Sequence, residues 1–188
     1  MKIAIITGTT RPGRKSLAVA EWVKSIADER TDATYEIVDI AEYDLPLFDE
    51  PMPTAYGQYA NDHTKRFNAK IGEFDGYVMV TGEYNHSTPA ALTNAITFPY
   101  NEWVNKAVGF VGYGSLGGSR SIENLRLMAA ELQMADVRTA AYLSLFDDFE
   151  EFTTLAPRDN QKESVNGMLD QLVAWAGAMK TLREGANA

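Results

Sequence analysis

Not one cysteine occurs in the 188 residues, which excludes disulfides, thiolate metal sites, iron–sulfur clusters and cysteine catalysis. Histidine is nearly as scarce. His63 and His86 lie in separate segments without metal-ligand spacing, so no metal site is expected. No apolar run approaches the length of a membrane span, and the run after Lys2 is too short for a signal sequence. The expectation is a soluble cytoplasmic protein with no membrane insertion. Positive charge is in deficit, with 17 Lys and Arg against 26 Asp and Glu and a formal net charge of −9. A phosphate backbone demands a positive field, so no nucleic acid is expected as a partner. A local basic site in an acidic body remains compatible with one small anionic ligand.

What is present reads as an ordinary globular chain, 45% hydrophobic and 23% charged, with a length that fits a single domain over residues 1–188. Lys2-Ile3-Ala4-Ile5-Ile6 reads as a buried strand, and residues 34–39, 76–80, 107–112 and 137–145 as four more. Leu17, Val19, Ala20, Val23, Ile26 and Ala27 recur at helical spacing in a helix that ends near Arg30. Further helices are expected over residues 61–73, from Pro89 with Thr88 as its cap, over 120–134 and over 161–182. Strand and helix alternate about five times, which predicts an α/β fold: a flavodoxin-like three-layer sandwich whose five-stranded parallel sheet has the order 2-1-3-4-5. Residues 41–60 carry three prolines among apolar side chains and read as an ordered loop that forms a pocket wall or a subunit contact. Residues 146–152 are acidic with phenylalanine at every third position. They read as a short helical turn whose rings cover the core, with a partner-docking role as the alternative. Trp22, Trp103 and Trp175 read as core or interface residues.

In such a sheet, ligands lie beyond the carboxyl ends of the strands at the switch point between the first and third. Three loops rich in glycine and polar groups fall on that edge: 8–16, 81–87 and 113–119. The first, Gly8-Thr9-Thr10-Arg11-Pro12-Gly13-Arg14-Lys15-Ser16, joins three hydroxyls and three cations to a helix start. The free N–H groups and dipole of a helix N-terminus make such a loop a phosphate cradle. The alternative is a basic surface turn with Ser16 as helix cap. Gly8-x-x-x-x-Gly13 misses the P-loop pattern, because Arg14 stands where lysine belongs and Thr81-Gly82 offers no magnesium-binding acid. Gly112-x-Gly114-x-x-Gly117 follows the fourth strand, and Asp136 precedes the fifth strand instead of ending it, so no ribose-binding acid is in place. Tyr113 replaces the first glycine of a Gly-x-Ser-x-Gly elbow, which leaves a hydrolase without support. His86 reads as a hydrogen-bonding loop residue in the crevice.

The segments Gly8-Thr9-Thr10-Arg11-Pro12-Gly13-Arg14, Glu83-Tyr84-Asn85-His86-Ser87 and Gly114-Ser115-Leu116-Gly117-Gly118, with Leu45-Pro46-Leu47-Phe48-Asp49-Glu50-Pro51, closely resemble the corresponding segments of the NADPH-dependent FMN reductase family. The resemblance spans nearly the whole chain in matching order. It implies that Thr9, Arg11 and Ser16 bind the FMN phosphate with backbone amides of the first loop. Glu83, Tyr84 and Asn85 would meet the ribityl chain and ring system, and Ser115, Gly117 and Gly118 the pyrimidine edge. Family members often have proline where this chain has Gly82. The implied activity is ping-pong hydride transfer from NADPH or NADH to bound FMN and on to a small-molecule acceptor such as a quinone, free flavin, azo compound, metal oxyanion or oxygen. That chemistry belongs to the cofactor and needs no protein acid–base pair. A homodimer or homotetramer is implied as well, burying the 41–60 loop and residues 101–106. The alternative is a non-catalytic flavodoxin-like electron carrier or a flavin redox sensor.

Overall fold

The computed structural model describes residues 1–185. Strands β1 (Lys2–Thr7), β2 (Thr34–Val38), β3 (Gly76–Thr81), β4 (Ala107–Gly114) and β5 (Ala135–Ser144) form one parallel sheet in the order β2-β1-β3-β4-β5. This is the expected topology. Ile3 pairs with Tyr35 on one side and Gly76 on the other, and Gly76 in turn pairs with Ala107. Strands inside a parallel sheet are covered on both faces, which is why β1 and β3 read as unbroken apolar runs.

Side chains alternate between the two faces with a period of two. Ile3, Ile5, Val78 and Val80 pack with α1 (Ser16–Ala27) and α5 (Asp159–Gly185). Ala4, Ile6, Tyr77 and Met79 pack with α2 (Asp62–Gly72), α3 (Ala90–Thr97) and α4 (Ser119–Glu131). Each fully buried isoleucine of β1 contributes roughly 2 kcal/mol of transfer free energy. Every strand therefore ends on the same edge, and loops 8–15, 82–89 and 115–118 share it because β1, β3 and β4 are neighbours.

Three local expectations, and one alternative reading, are corrected. Pro89, not Thr88, holds the N-cap position of α3; the Thr88 hydroxyl is buried and donates to the Ser121 carbonyl at 3.2 Å. It is drawn there by a buried polar cluster in which Thr81 Oγ1 and Ser121 Oγ lie 2.6 Å apart. Ser16 is not a cap either: Lys15 occupies that place without a side-chain bond, and Ser16 is the first residue of α1. Asp136 lies within β5, still at its amino end and far from the loop edge, where it pairs with Arg126.

The fourth correction concerns residues 146–152, which form no helical turn. Here β6 (Phe149–Glu150) and β7 (Thr154–Leu155) make an antiparallel hairpin. Phe149 is buried and packs against Tyr113, while Phe146 and Phe152 are exposed and meet edge to face at 5.5 Å. The buried Asp148 sets this path, accepting from Ser144 N at 2.8 Å, Arg158 N and Arg158 Nε at 3.0 Å each, and Gln161 Nε2 at 3.1 Å. Burial pushes its carboxyl up, but the Arg158 guanidinium and these backbone N–H groups outweigh that and hold it below the usual carboxylate range.

The 41–60 loop is ordered by its backbone, with 3-10 turns at Ile40–Tyr43 and Thr54–Tyr56. The Glu50 carboxylate accepts from Ala60 N and Asn61 N at 2.7 and 3.0 Å, and Asn94 ties Pro46 O and Phe48 N to α3. Its side chains remain largely outside, with Leu47, Met52 and Tyr56 exposed. Within residues 101–106, Trp103 and Lys106 are buried in their own chain. Trp22 packs partly buried on the core, and Trp175 is exposed.

Candidate functional site

The first loop is built on hydroxyls. Thr9 and Ser16 are both buried; Thr9 Oγ1 donates to Ser16 Oγ at 2.7 Å, and Ser16 Oγ reaches back to the Thr9 carbonyl at 3.4 Å. Gly8 makes the entry to this loop possible, because a Cβ there would sit 2.4 Å from the Val80 carbonyl. Of the three cations, Arg14 forms an ion pair with Asp39, whose carboxylate also accepts from Thr7 Oγ1 and Ala41 N. Arg14 Nε is buried without a hydrogen-bond partner among the described residues. Arg11 and Lys15 have no carboxylate partner among the described residues. Beside Thr10 a cavity of about 250 Å³ opens toward Leu45 and Asn94.

The second loop is a two-residue turn. Tyr84 and Ser87 exchange both backbone hydrogen bonds at 3.0 Å, with Asn85 and His86 at φ 51° and 69°, which is type I′ geometry. Tyr84, Asn85 and His86 are thereby held out in solvent. The Glu83 carboxylate turns instead toward α4, accepting from Arg120 N at 3.2 Å and Arg120 Nη1 at 2.7 Å. Its side chain fastens the second loop to the start of that helix.

In the third loop Ser115 is exposed, whereas Gly117 and Gly118 are buried beneath it. Both glycines adopt left-handed φ, 64° and 71°, and a Cβ on Gly118 would lie 2.9 Å from Tyr113 N, so the loop can fold back tightly on β4.

These loops meet. Arg11 Nε donates to the Tyr84 hydroxyl at 3.0 Å, joining the first to the second, and Glu83 with Arg120 joins the second to α4. Tyr113 OH lies 3.3 Å from Thr9 Oγ1, and the Tyr113 ring lies against Gly82, where a Cβ would meet it at 3.1 Å. Thr9, Arg11, Ser16, Glu83, Tyr84, Asn85, Ser115, Gly117 and Gly118 therefore share one edge of the sheet. Sequence reading missed Tyr113, Arg120 and Asp39. Tyr113 sits between two glycines and reads as loop, yet it is the penultimate residue of β4 with its phenol turned inward. The strand's pattern of alternating faces, extended two residues further, is the signal that would have found it.

The donor set suits a dianionic group: hydroxyls, two cations without carboxylate partners, and the N-terminal N–H groups of α1. The family model described as NADPH-dependent FMN reductase matches residues 1–148. The chain belongs to the NADPH-dependent FMN reductase family. An NAD(P)H-dependent FMN reductase of Schizosaccharomyces pombe is 33% identical over 185 residues, covering 97% of this chain and 86% of that protein. A quinone reductase of Pseudomonas putida is 29% identical, over 92% of this chain and 93% of its own. Among solved structures, the FerB flavoenzyme NAD(P)H:(acceptor) oxidoreductase of Paracoccus denitrificans aligns with a TM-score of 0.73 at 18% identity, covering 95% of this chain and 98% of that one. This last likeness establishes the shared fold. The family is one of oxidoreductases that pair FMN with NAD(P)H.

Proposed function

We propose that this reductase-family chain binds FMN at the joined loops and uses it in ping-pong fashion, taking hydride from NADPH or NADH and delivering electrons to a small-molecule acceptor of the quinone type. The observation that carries this reading is the Arg11–Tyr84 bond, which joins the first loop to the second while Arg11 and Lys15 have no carboxylate partner among the described residues. When bound, FMN supplies the redox chemistry. The chain's own tasks are then to hold and to orient. Thr9, Ser16, Arg11 and Lys15 would hold the phosphate, and the Tyr84–Ser87 turn would bear on the ring system. The exposed Ser115 would meet its pyrimidine edge, while Gly117 and Gly118 shape the loop that carries it. No acid–base pair is required of the protein.

We also propose one FMN-binding domain, a cytoplasmic location and a homodimer or homotetramer. No helix of the described residues is long and apolar enough to cross a membrane. The exposed Leu47, Met52 and Tyr56 of the 41–60 loop, with Leu127 of α4, offer an apolar surface for a second copy. A monomer mass by sedimentation at micromolar concentration would contradict the assembly. Steady-state anaerobic reduction of a quinone by NADPH tests the activity. A flavin-loaded protein that turns over with neither NADPH nor NADH would point instead to an electron carrier or sensor.

A further inference from the structure

Three hydroxyls at the base of the first loop form a chain with a definable direction. Thr9 O–H is spent on Ser16 Oγ at 2.7 Å, and Ser16 O–H on the Thr9 carbonyl at 3.4 Å. A hydroxyl has one hydrogen and two lone pairs, so Thr9 Oγ1 can only accept in its 3.3 Å contact with Tyr113. Tyr113 is therefore the donor at the head of the chain, and Ser16 is its tail. The 3.4 Å link at the tail is the longest and the one most readily exchanged for a stronger acceptor.

From this geometry we infer that Tyr113 is a positioning residue for anion binding: by donating to Thr9 it fixes the hydrogens of Thr9 and Ser16 so that the chain ends in a donor available to a phosphate. The inference rests on the proposed FMN site and deepens it. Hydrogen bonds in sequence polarise one another, so a donor at the end of such a chain is stronger than an isolated serine. The phenol is held in place from the other side as well. Its Cζ and hydroxyl lie 3.1 Å from where a Gly82 Cβ would stand, and its ring packs against Phe149 at 6.5 Å between centroids. Tyr113 is buried, and burial pushes its phenol up from the ordinary tyrosine value, so it keeps its proton across the physiological range. One side chain thus underlies both the phosphate loop and the entry to the flavin loop.

The test separates phosphate recognition from packing by comparing FMN with riboflavin, which has the same ring and ribityl chain but no phosphate. Flavin fluorescence quenching gives Kd for both ligands with the wild type, Tyr113→Phe, Thr9→Val and the double variant. Tyr113→Phe is expected to raise the FMN Kd about 5- to 10-fold and to leave the riboflavin Kd within about twofold, inside the few tenths of a kcal/mol expected of a site whose contacts are kept. The double variant is expected to bind FMN no more weakly than Thr9→Val alone, because the phenol acts through Thr9. An unchanged FMN Kd in folded Tyr113→Phe overturns the inference and leaves the FMN site standing. Equal weakening toward both flavins also overturns it, assigning Tyr113 to packing alone. A wild type that binds neither flavin removes the underlying FMN reading.

Discussion

Arg11 differs from its neighbour Arg14 in what it is free to do. Arg14 is tied to Asp39, while Arg11 spends its Nε on the Tyr84 phenol and keeps its charge without a carboxylate partner among the described residues. Arg11→Ala should weaken FMN binding by about 1.5–3 kcal/mol through loss of a charge-assisted contact. Fluorescence titration checks this; unchanged affinity in a folded variant would refute the assignment. At the opposite edge of the sheet Lys106 is buried, donating to Tyr77 OH at 2.9 Å and to the Gly72 carbonyl at 3.2 Å. Burial pushes its ammonium down to about 8 with help from the Arg183 charge, against the opposing pull of Asp75 and Glu102. The unfolded chain then binds this proton more tightly than the folded one between pH 8 and the ordinary lysine value of 10.5. The penalty of burying the charge is fully present below pH 8 and is relieved as pH rises through that window. Relative to Lys106→Met, the wild type should gain about 2 kcal/mol between pH 7.5 and 9.5 in urea unfolding. A pH-independent difference between the two proteins would contradict the buried-charge assignment.

The Tyr84–Ser87 turn shows an element whose sequence and geometry disagree at one position. Asn85 suits a left-handed φ, while His86 at 69° stands where such a turn prefers glycine and so carries a Cβ in that region, and its side chain is exposed. His86→Gly should relieve the strain, partly offset by the greater freedom of glycine in the unfolded chain. The net gain is about 0.5–1 kcal/mol, or roughly 1–4 °C in Tm. A lower Tm would mean that the histidine side chain stabilises the loop. The inner strands β1, β3 and β4 were legible because a strand covered on both faces must be apolar throughout, and Gly8, Gly82 and Gly117 lie in the loops that follow them. The edge strands β2 and β5 carry polar residues and were legible from their β-rich, partly alternating pattern. The hairpin of β6 and β7 was not, because two-residue strands have no period to read and Asp148 decides their course from inside the fold. Thr88 was misread for a similar reason. A threonine before proline looks like a cap until a distant Ser121 claims its hydroxyl. The site residues were legible by loop and less so by role: the Glu83 carboxylate faces Arg120, and Gly117 and Gly118 lie beneath the exposed Ser115.

Across the whole molecule, a chain of net charge −9 gathers at the carboxyl end of β1 positive charge, Arg11 and Lys15, that has no carboxylate partner among the described residues. The sheet order puts the loops after β1, β3 and β4 side by side at the point where the winding reverses, which is where an α/β sheet offers its crevice. An acidic body with a local basic site favours a single phosphate-bearing ligand over a nucleic-acid surface. Leu45 of the 41–60 loop lines the cavity beside Thr10, and Leu47, Met52 and Tyr56 of the same loop are exposed, so a second copy docked on the loop would lie close to the crevice. All of this turns on a bound flavin that a reduced nicotinamide can reach. The visible spectrum of the purified protein, recorded before and after anaerobic NADPH, decides it. The expected result is a flavin spectrum that bleaches with NADPH and returns on adding a quinone. A bound flavin left oxidised by both NADPH and NADH, or a colourless protein with no affinity for FMN, would contradict it.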